Sequence, residues 1–262
     1  MSGPALRVDG LTVSYGGVLA VDGVSIAVDP GEVLGLIGPN GAGKTSLIDA
    51  ITGFTPARGS VRIGDEALDG LPPHRRARAG LGRTFQSVEL FDDLTVEENL
   101  RVAASDPRWW SPLVDAVRPR DRHAADVAWA LDAVGLADAA TAMPTELPTG
   151  RTRLVGVARA LVRRPAVLLL DEPAAGLDTA ESAALGHRIR AIAASGVAVL
   201  LVDHDMSLVL SACDRVAVLD FGALIATGPP AAVREDPRVI AAYLGTGAGG
   251  AAAAVPDAEG SS

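Results

Sequence analysis

The 262-residue chain contains a single cysteine and a single lysine. One cysteine, Cys213, rules out an internal disulfide and fits a reducing compartment. Its apolar helical neighbourhood favours an inert buried thiol over a reactive one. An excess of positive charge is missing too. There are 32 acidic residues against 23 basic ones, so the net charge is −9 and the isoelectric point about 4.9. No basic field draws such a chain to nucleic acid or anionic lipid. Long hydrophobic runs are also absent: the stretch Val197 to Val202 falls far short of the roughly 20 residues that a spanning helix needs. Met1 to Leu11 lacks the basic start and apolar run of a signal peptide. Any membrane role is therefore expected to come through a partner. No internal repeat is visible.

What is present is ample apolar material, 48% of residues with a mean hydropathy of +0.28, enough for one large domain or a domain plus a small lobe. The only lysine, Lys44, closes the segment Gly38-Pro39-Asn40-Gly41-Ala42-Gly43-Lys44-Thr45, whereas the other 22 basic residues are arginine. Val33 to Ile37, just before, reads as a buried strand, and Ser46 to Thr52, just after, as a helix stopped by Gly53. Strand, glycine-rich turn, Lys-Thr and helix form the Walker A pattern. The glycines let backbone N–H groups converge on phosphate oxygens, and the helix N-terminus offers them partial positive charge. Lys44 suits the β- and γ-phosphates as a compact point charge, and the Thr45 hydroxyl suits Mg²⁺.

Around this loop the patterning predicts alternating strands and helices. Leu6 to Val13 and Val18 to Val28 alternate apolar and polar residues and read as two antiparallel strands joined through Tyr15-Gly16-Gly17. Tyr15 is either an aromatic face for an adenine ring or a half-buried strand tyrosine. Strands are expected at Gly59 to Ile63 and Gly82 to Phe85, with a short basic helix at Pro73 to Ala79 between them. Gln86 follows, either as a carbonyl for Mg²⁺ or as a plain polar loop residue. Thr95 and Glu98 form a capping box at the start of a helix. Ser105 to Arg122, with Trp109-Trp110, three prolines and several arginines, reads as an irregular insertion, either a pinned loop or a partner-facing surface. Helices are predicted at Asp121 to Val134 and Thr152 to Arg163, the second fed by a turn over Pro144 to Arg151.

Val167 to Leu170 is an apolar run landing on Asp171-Glu172. Such a run reads as a buried parallel strand, and α/β sheets place ligands at the C-terminal ends of these strands. Asp171 suits Mg²⁺ and its water shell. Glu172 suits the general base for water attacking a γ-phosphate. Val197 to Val202 repeats the pattern and ends at Asp203-His204, where the histidine is either a phosphate contact or a structural residue. A helix at Met206 to Cys213, strands at Arg215 to Leu219 and Ala223 to Thr227, and a helix at Arg238 to Leu244 complete the reading. Alternation of this kind implies an α/β domain with a parallel core. Gly245 to Ser262, rich in Gly, Ala and Ser, reads as a disordered tail.

Taken together, these motifs resemble the ATP-binding subunit of ABC transporters over about Leu6 to Gly245. Tyr15 matches the adenine-stacking aromatic, and Gly38 to Thr45 the Walker A. Gln86 matches the Q-loop, Leu147 to Arg151 the signature, and Asp171-Glu172-Pro173 the Walker B. Asp178 matches the D-loop acid and His204 the H-loop. The resemblance implies a P-loop NTPase core with an antiparallel β subdomain and a helical signature subdomain. It places the ATPase domain at 1–245, the helical part at about 87–165 and a tail at 246–262. It implies ATP and Mg²⁺ as cofactors, with Glu172, His204 and Gln86 catalytic. Nucleotide contacts are expected from Tyr15, Gly38, Pro39, Asn40, Gly41, Ala42, Gly43, Lys44, Thr45, Ser46, Gly150 and Asp178, and metal contacts from Thr45, Gln86 and Asp171. Two such subunits would clamp ATP between one Walker A and the other's signature.

Within that family, Gly82-Arg83-Thr84-Phe85-Gln86, Leu94 to Leu100, Ala174-Ala175-Gly176-Leu177-Asp178, His204-Asp205-Met206 and Ala241 to Gly245 are similar to the ATPases of branched-chain amino-acid importers, and the insertion at Ser105 to Arg122 is similar to the longer of the two paired subunits. Related urea or amide importers and soluble non-transport ABC ATPases are the alternatives. The implied partners are membrane permease subunits and a second ATPase subunit, with no nucleic acid and no membrane span. The implied place is the cytoplasmic face of the inner (plasma) membrane, peripherally. One departure stands out. The family has Leu-Ser-Gly-Gly-Gln or close to it, and this chain has Leu147-Pro148-Thr149-Gly150-Arg151, without the serine that meets the γ-phosphate on the opposing subunit.

Overall fold

The computed structural model describes residues 6–85, 89–105 and 123–245. Strands β1 (Leu6–Tyr15) and β2 (Val18–Val28) pair antiparallel, and β4 (Arg58–Ile63) pairs on the other edge of β1. With the two-residue β5 (Glu66–Ala67) they make a four-stranded sheet in the order β2-β1-β4-β5. The second sheet has six strands: β6 (Leu81–Arg83), β7 (Val167–Asp171), β8 (Ala198–Val202), β3 (Val33–Ile37), β9 (Arg215–Asp220) and β10 (Ala223–Gly228). All neighbours in it run parallel except the closing β9–β10 hairpin.

The three central strands are buried at every position, as sequences apolar at successive residues must be when both sheet faces are covered. Alternation then divides the core in two. Leu34, Leu36, Val167, Leu169, Ala198 and Leu200 face one cluster. It also holds the inner face of the antiparallel sheet and Leu47, Ile48 and Ile51 of helix α1 (Lys44–Thr52). Helix α1 is thus wedged between the two sheets, with its N-terminus at the end of β3. Val33, Leu168, Leu170, Val199 and Leu201 face the other cluster.

That second cluster is built by α3 (Val96–Ala104), α4 (Ala124–Ala133), α5 (Thr149–Leu161), α6 (Thr179–Ala194) and α7 (Met206–Ala212). Each fully buried Leu or Val contributes about 1.5–3 kcal/mol. Helices α2 (Pro73–Arg78), α8 (Pro230–Arg234) and α9 (Pro237–Gly245) are peripheral.

The Thr95–Glu98 capping box is present in both directions, with the Thr95 N–H donating to Glu98 and the Glu98 N–H to Thr95. Several boundaries differ from the sequence reading. Helix α5 begins at Thr149, not Thr152, because Pro148 serves as its N-cap and the turn before it shrinks to a 3₁₀ turn at Pro144–Glu146. It ends at Leu161 rather than Arg163, and Arg164 takes a left-handed φ of 51° ahead of Pro165. Strand β6 stops at Arg83, so Phe85 lies outside the sheet. Helices α6 and α8 had no counterpart in the reading. Trp109-Trp110, Gln86 and the tail 246–262 lie outside the described residues.

Candidate functional site

Strand order assembles the site. Strands β7, β8 and β3 are consecutive neighbours running in one direction. Their C-terminal ends therefore carry Asp171-Glu172, Asp203-His204 and the Gly38–Thr45 loop side by side. Segments distant in sequence meet there because each follows a fully buried strand.

The loop is closely seated. A Cβ on Gly38 would lie 2.2 Å from the Leu219 carbonyl oxygen, and one on Gly43 would lie 2.2 Å from that of Ala20. Gly43 also has φ 101° and caps α1 without a side-chain bond. The first-turn N–H groups of α1 thus face the loop with no acidic side chain among them. The Lys44 ammonium folds back to donate to the carbonyls of Gly38 (2.7 Å) and Pro39 (3.0 Å). Partial burial lowers its pKa, and the carboxylates of Glu172 and Asp171 oppose that shift. Cation, glycine cradle and open helix terminus together fit a polyphosphate. The Gly38 N–H is turned toward the Tyr243 phenolic oxygen, tying α9 to the loop.

At the end of β7 the Asp171 side chain is buried. Its N–H donates to Thr84 Oγ1 at 3.1 Å, and its Oδ2 accepts from Arg83 Nη2 at 3.1 Å. Burial raises the Asp171 pKa and the Arg83 bond opposes it. A carboxylate oxygen donor at this strand end, close enough to act on the Lys44 charge, fits a hard cation such as Mg²⁺. Glu172 adopts φ 48°, rare for a residue with a Cβ, and its N–H donates to the Val202 carbonyl at 2.7 Å.

His204 is exposed, its Nδ1 3.8 Å from Asp203 Oδ1. Asp203 is fully buried and pins two loops, accepting the N–H of Ala174 beyond the Walker B turn (3.1 Å) and that of Asp205 (2.9 Å). Asp178 caps α6 reciprocally with Glu181. Gly150 is buried against that same cap: a Cβ there would lie 2.6 Å from Glu181 Oε1. Signature and D-loop segments are therefore in direct contact. Arg151 is committed to Asp138, Nη2 to Oδ1 at 2.5 Å. Tyr15 stands half exposed at the β1–β2 turn, its hydroxyl 3.3 Å from Thr55 Oγ1.

Four residues at the site were not singled out from sequence: Arg83, Asp49, Asp203 and Tyr243. Arg83 and Asp203 flank motif residues, and that adjacency was the one available signal.

The family profile described as "ABC transporter" matches residues 21–175, and one described as "Branched-chain amino acid ATP-binding cassette transporter" matches residues 223–249. The chain is 42% identical over 254 residues to the "High-affinity branched-chain amino acid transport ATP-binding protein BraF" of Pseudomonas aeruginosa, covering 94% of this chain and 99% of that one. It is 41% identical, with the same coverage, to LivG of Escherichia coli, described in the same words. Among solved structures, a nucleotide-free ATP-binding cassette from an ABC transporter superposes with a TM-score of 0.81 at 29% identity, over 92% of this chain and 98% of that one. The ADP conformation of such a cassette gives 0.80 at 29% identity, over 92% and 99%.

Proposed function

The chain belongs to the ATP-binding subunits of ABC transporters, and we propose that it powers an importer of branched-chain amino acids. It is an ATP-binding and hydrolysing subunit working with membrane permease subunits and a second ATPase subunit. Among the described residues no helix is long and apolar enough to cross a membrane. In this reading it sits peripherally on the cytoplasmic face, residues 1–245 forming the ATPase domain and about 87–165 its helical part. The observation that carries the reading is the adjacency of β3, β8 and β7, which sets phosphate loop, acid pair and histidine around one space.

In the proposed mechanism, Lys44 exchanges its bonds to the Gly38 and Pro39 carbonyls for β- and γ-phosphate oxygens. The N–H groups opening α1 hold the same phosphates. Thr45, Asp171 and Gln86 would hold Mg²⁺, which would neutralise phosphate charge. Glu172 takes the proton of the attacking water, His204 contacts the γ-phosphate, and Tyr15 stacks on adenine. Gly150 and Asp178 meet the nucleotide of the opposing subunit. Reconstituting the chain with its permease in vesicles tests the reading. ATP-driven uptake of leucine, isoleucine or valine is expected. Uptake of urea or a short amide with no response to these amino acids would replace the assignment.

Because Lys44 is the only lysine, amine-directed labelling of the folded chain should modify Lys44 and the N-terminus alone. Its lowered pKa enlarges the neutral, reactive fraction, so Lys44 should label readily without nucleotide. Mg·ATP should protect it, by occlusion and by restoring the charge. Equal labelling of Lys44 with and without Mg·ATP would remove it from the phosphate site.

A cleft of about 680 Å³ opens beside the site, walled by Phe85, Leu90, Phe91, Arg153, Val157 and Arg159. Phe91 is nearly half exposed, with the Arg159 guanidinium 5.7 Å from its ring centre. Aromatic and arginine anchors around a concave wall suit a permease helix. Phe91→Asp should abolish co-purification with the permease while leaving ATP binding by the isolated chain intact. Retained co-purification would move the docking surface elsewhere.

A further inference from the structure

Arg83 is buried at the meeting point of three elements, its side chain 9% exposed. Nη1 donates to Asp49 Oδ1 (2.6 Å) and Thr52 Oγ1 (3.0 Å) on α1, and Nη2 donates to Asp171 Oδ2 at the end of β7. Two aromatic rings wall it in: its Cζ lies 4.8 Å from the Phe85 centroid and 5.6 Å from that of Phe54. The rings meet edge to face, 5.8 Å apart at 83°. Nε is buried without a hydrogen-bond partner among the described residues. The guanidinium therefore sits where it does for its two forked donors, which bridge the phosphate-loop helix to the acid strand.

A carboxylate gripped by one oxygen keeps lone pairs for a metal or its water and loses rotational freedom. We propose that Arg83 is a positioning residue for the metal step, fixing the Asp171 carboxylate relative to α1, with Asp49 and Thr52 as its anchor and Phe54 and Phe85 as its walls. The proposal rests on the reading of Asp171 as a Mg²⁺ ligand. It acts on metal affinity, because the clamp does not touch the phosphate cradle. Residues that orient a metal ligand typically change metal affinity by about 10–100-fold when removed.

The test uses the full chain in four variants, Arg83→Met, Asp49→Asn, these two combined, and Asp171→Asn. Two quantities are read: ATP affinity in EDTA, and the Mg²⁺ concentration that gives half-maximal tightening of ATP binding. Neither requires turnover. Arg83→Met should raise the Mg²⁺ midpoint by about tenfold and leave metal-free ATP affinity unchanged. Asp49→Asn, which keeps shape, should shift the midpoint the same way by a smaller factor and add little on top of Arg83→Met. If Arg83→Met fails to fold, the Asp49→Asn midpoint decides alone. An unmoved midpoint in these variants, with Asp171→Asn shifting it, sinks the Arg83 proposal and spares the metal reading. A midpoint that Asp171→Asn leaves unmoved sinks both. Equal losses with and without metal would show Arg83 to be a general structural residue and overturn the proposal.

Discussion

Glu172→Gln is expected to bind ATP and to lose steady-state hydrolysis by at least about a hundredfold, the lower end of a general base's share. The amide keeps the shape of the side chain and leaves the seated glycine loop, Lys44 and the opening of α1 as they are. Binding should therefore persist. With chemistry blocked, the ATP-bound dimer should accumulate and be visible by size-exclusion chromatography in the presence of ATP. The backbone supplies a control. Glu172 is held at φ 48° by the bond from its N–H to Val202, a conformation that costs a residue with a Cβ about 1–2 kcal/mol. Glu172→Gly should thus lose activity as Glu172→Gln does but gain thermal stability. Hydrolysis by Glu172→Gln at near the parent rate would remove Glu172 as the base.

The strain at Glu172 also shows where sequence reading succeeds and where it stops. Strands β3, β7 and β8 were legible because a fully buried strand must be apolar at every position, and each ends on the residues that carry chemistry. Short-range capping was legible for the same reason of locality: Thr95 and Glu98 are three residues apart. Long-range partners were not. Arg83 reaches Asp49 and Asp171, 34 and 88 residues away, and no local pattern distinguishes it from 21 other arginines.

Asp203 reads as a neighbour of His204, yet its burial and the N–H that its carboxylate accepts from Ala174 emerge only once β7 and β8 lie side by side. Tyr243 meets the Gly38 backbone across some 200 residues. Helix α6 escaped because its apolar positions are diluted by alanine and serine, so no clear apolar stripe marks it. The start of α5 was placed late because Pro148 reads as a turn residue, although a proline suits the edge of a helix that needs no N–H there.

Pro148 carries the last expected result. Where the family holds serine, this chain has a proline at the N-cap of α5, so a hydroxyl donor to the opposing subunit's γ-phosphate is missing. Such a bond to a charged group contributes roughly 1.5–3 kcal/mol. That converts to roughly ten- to a hundredfold in rate where the transition state uses it. Arg151 is no ready substitute, since its guanidinium is bound to Asp138 beside the signature. A homodimer would carry the deficit in both sites, whereas pairing with a second ATPase that keeps the serine confines it to one. The chain alone should accordingly turn over ATP slowly, and Pro148→Ser should raise that rate by roughly tenfold or more. In complex with its partner subunit the same substitution should matter much less. A serine at an N-cap also stabilises its own helix, by about 0.5–2 kcal/mol, so a faster enzyme could reflect a firmer α5 alone. Pro148→Asp separates the two effects, because aspartate caps as well as serine does but repels phosphate. Thermal stability should rise in both variants and turnover in the serine variant only. Equal turnover gains from serine and aspartate would assign the effect to the cap. Robust turnover by the lone parent chain, unchanged by serine, would show that both sites work without the hydroxyl and that an asymmetric pair is not required.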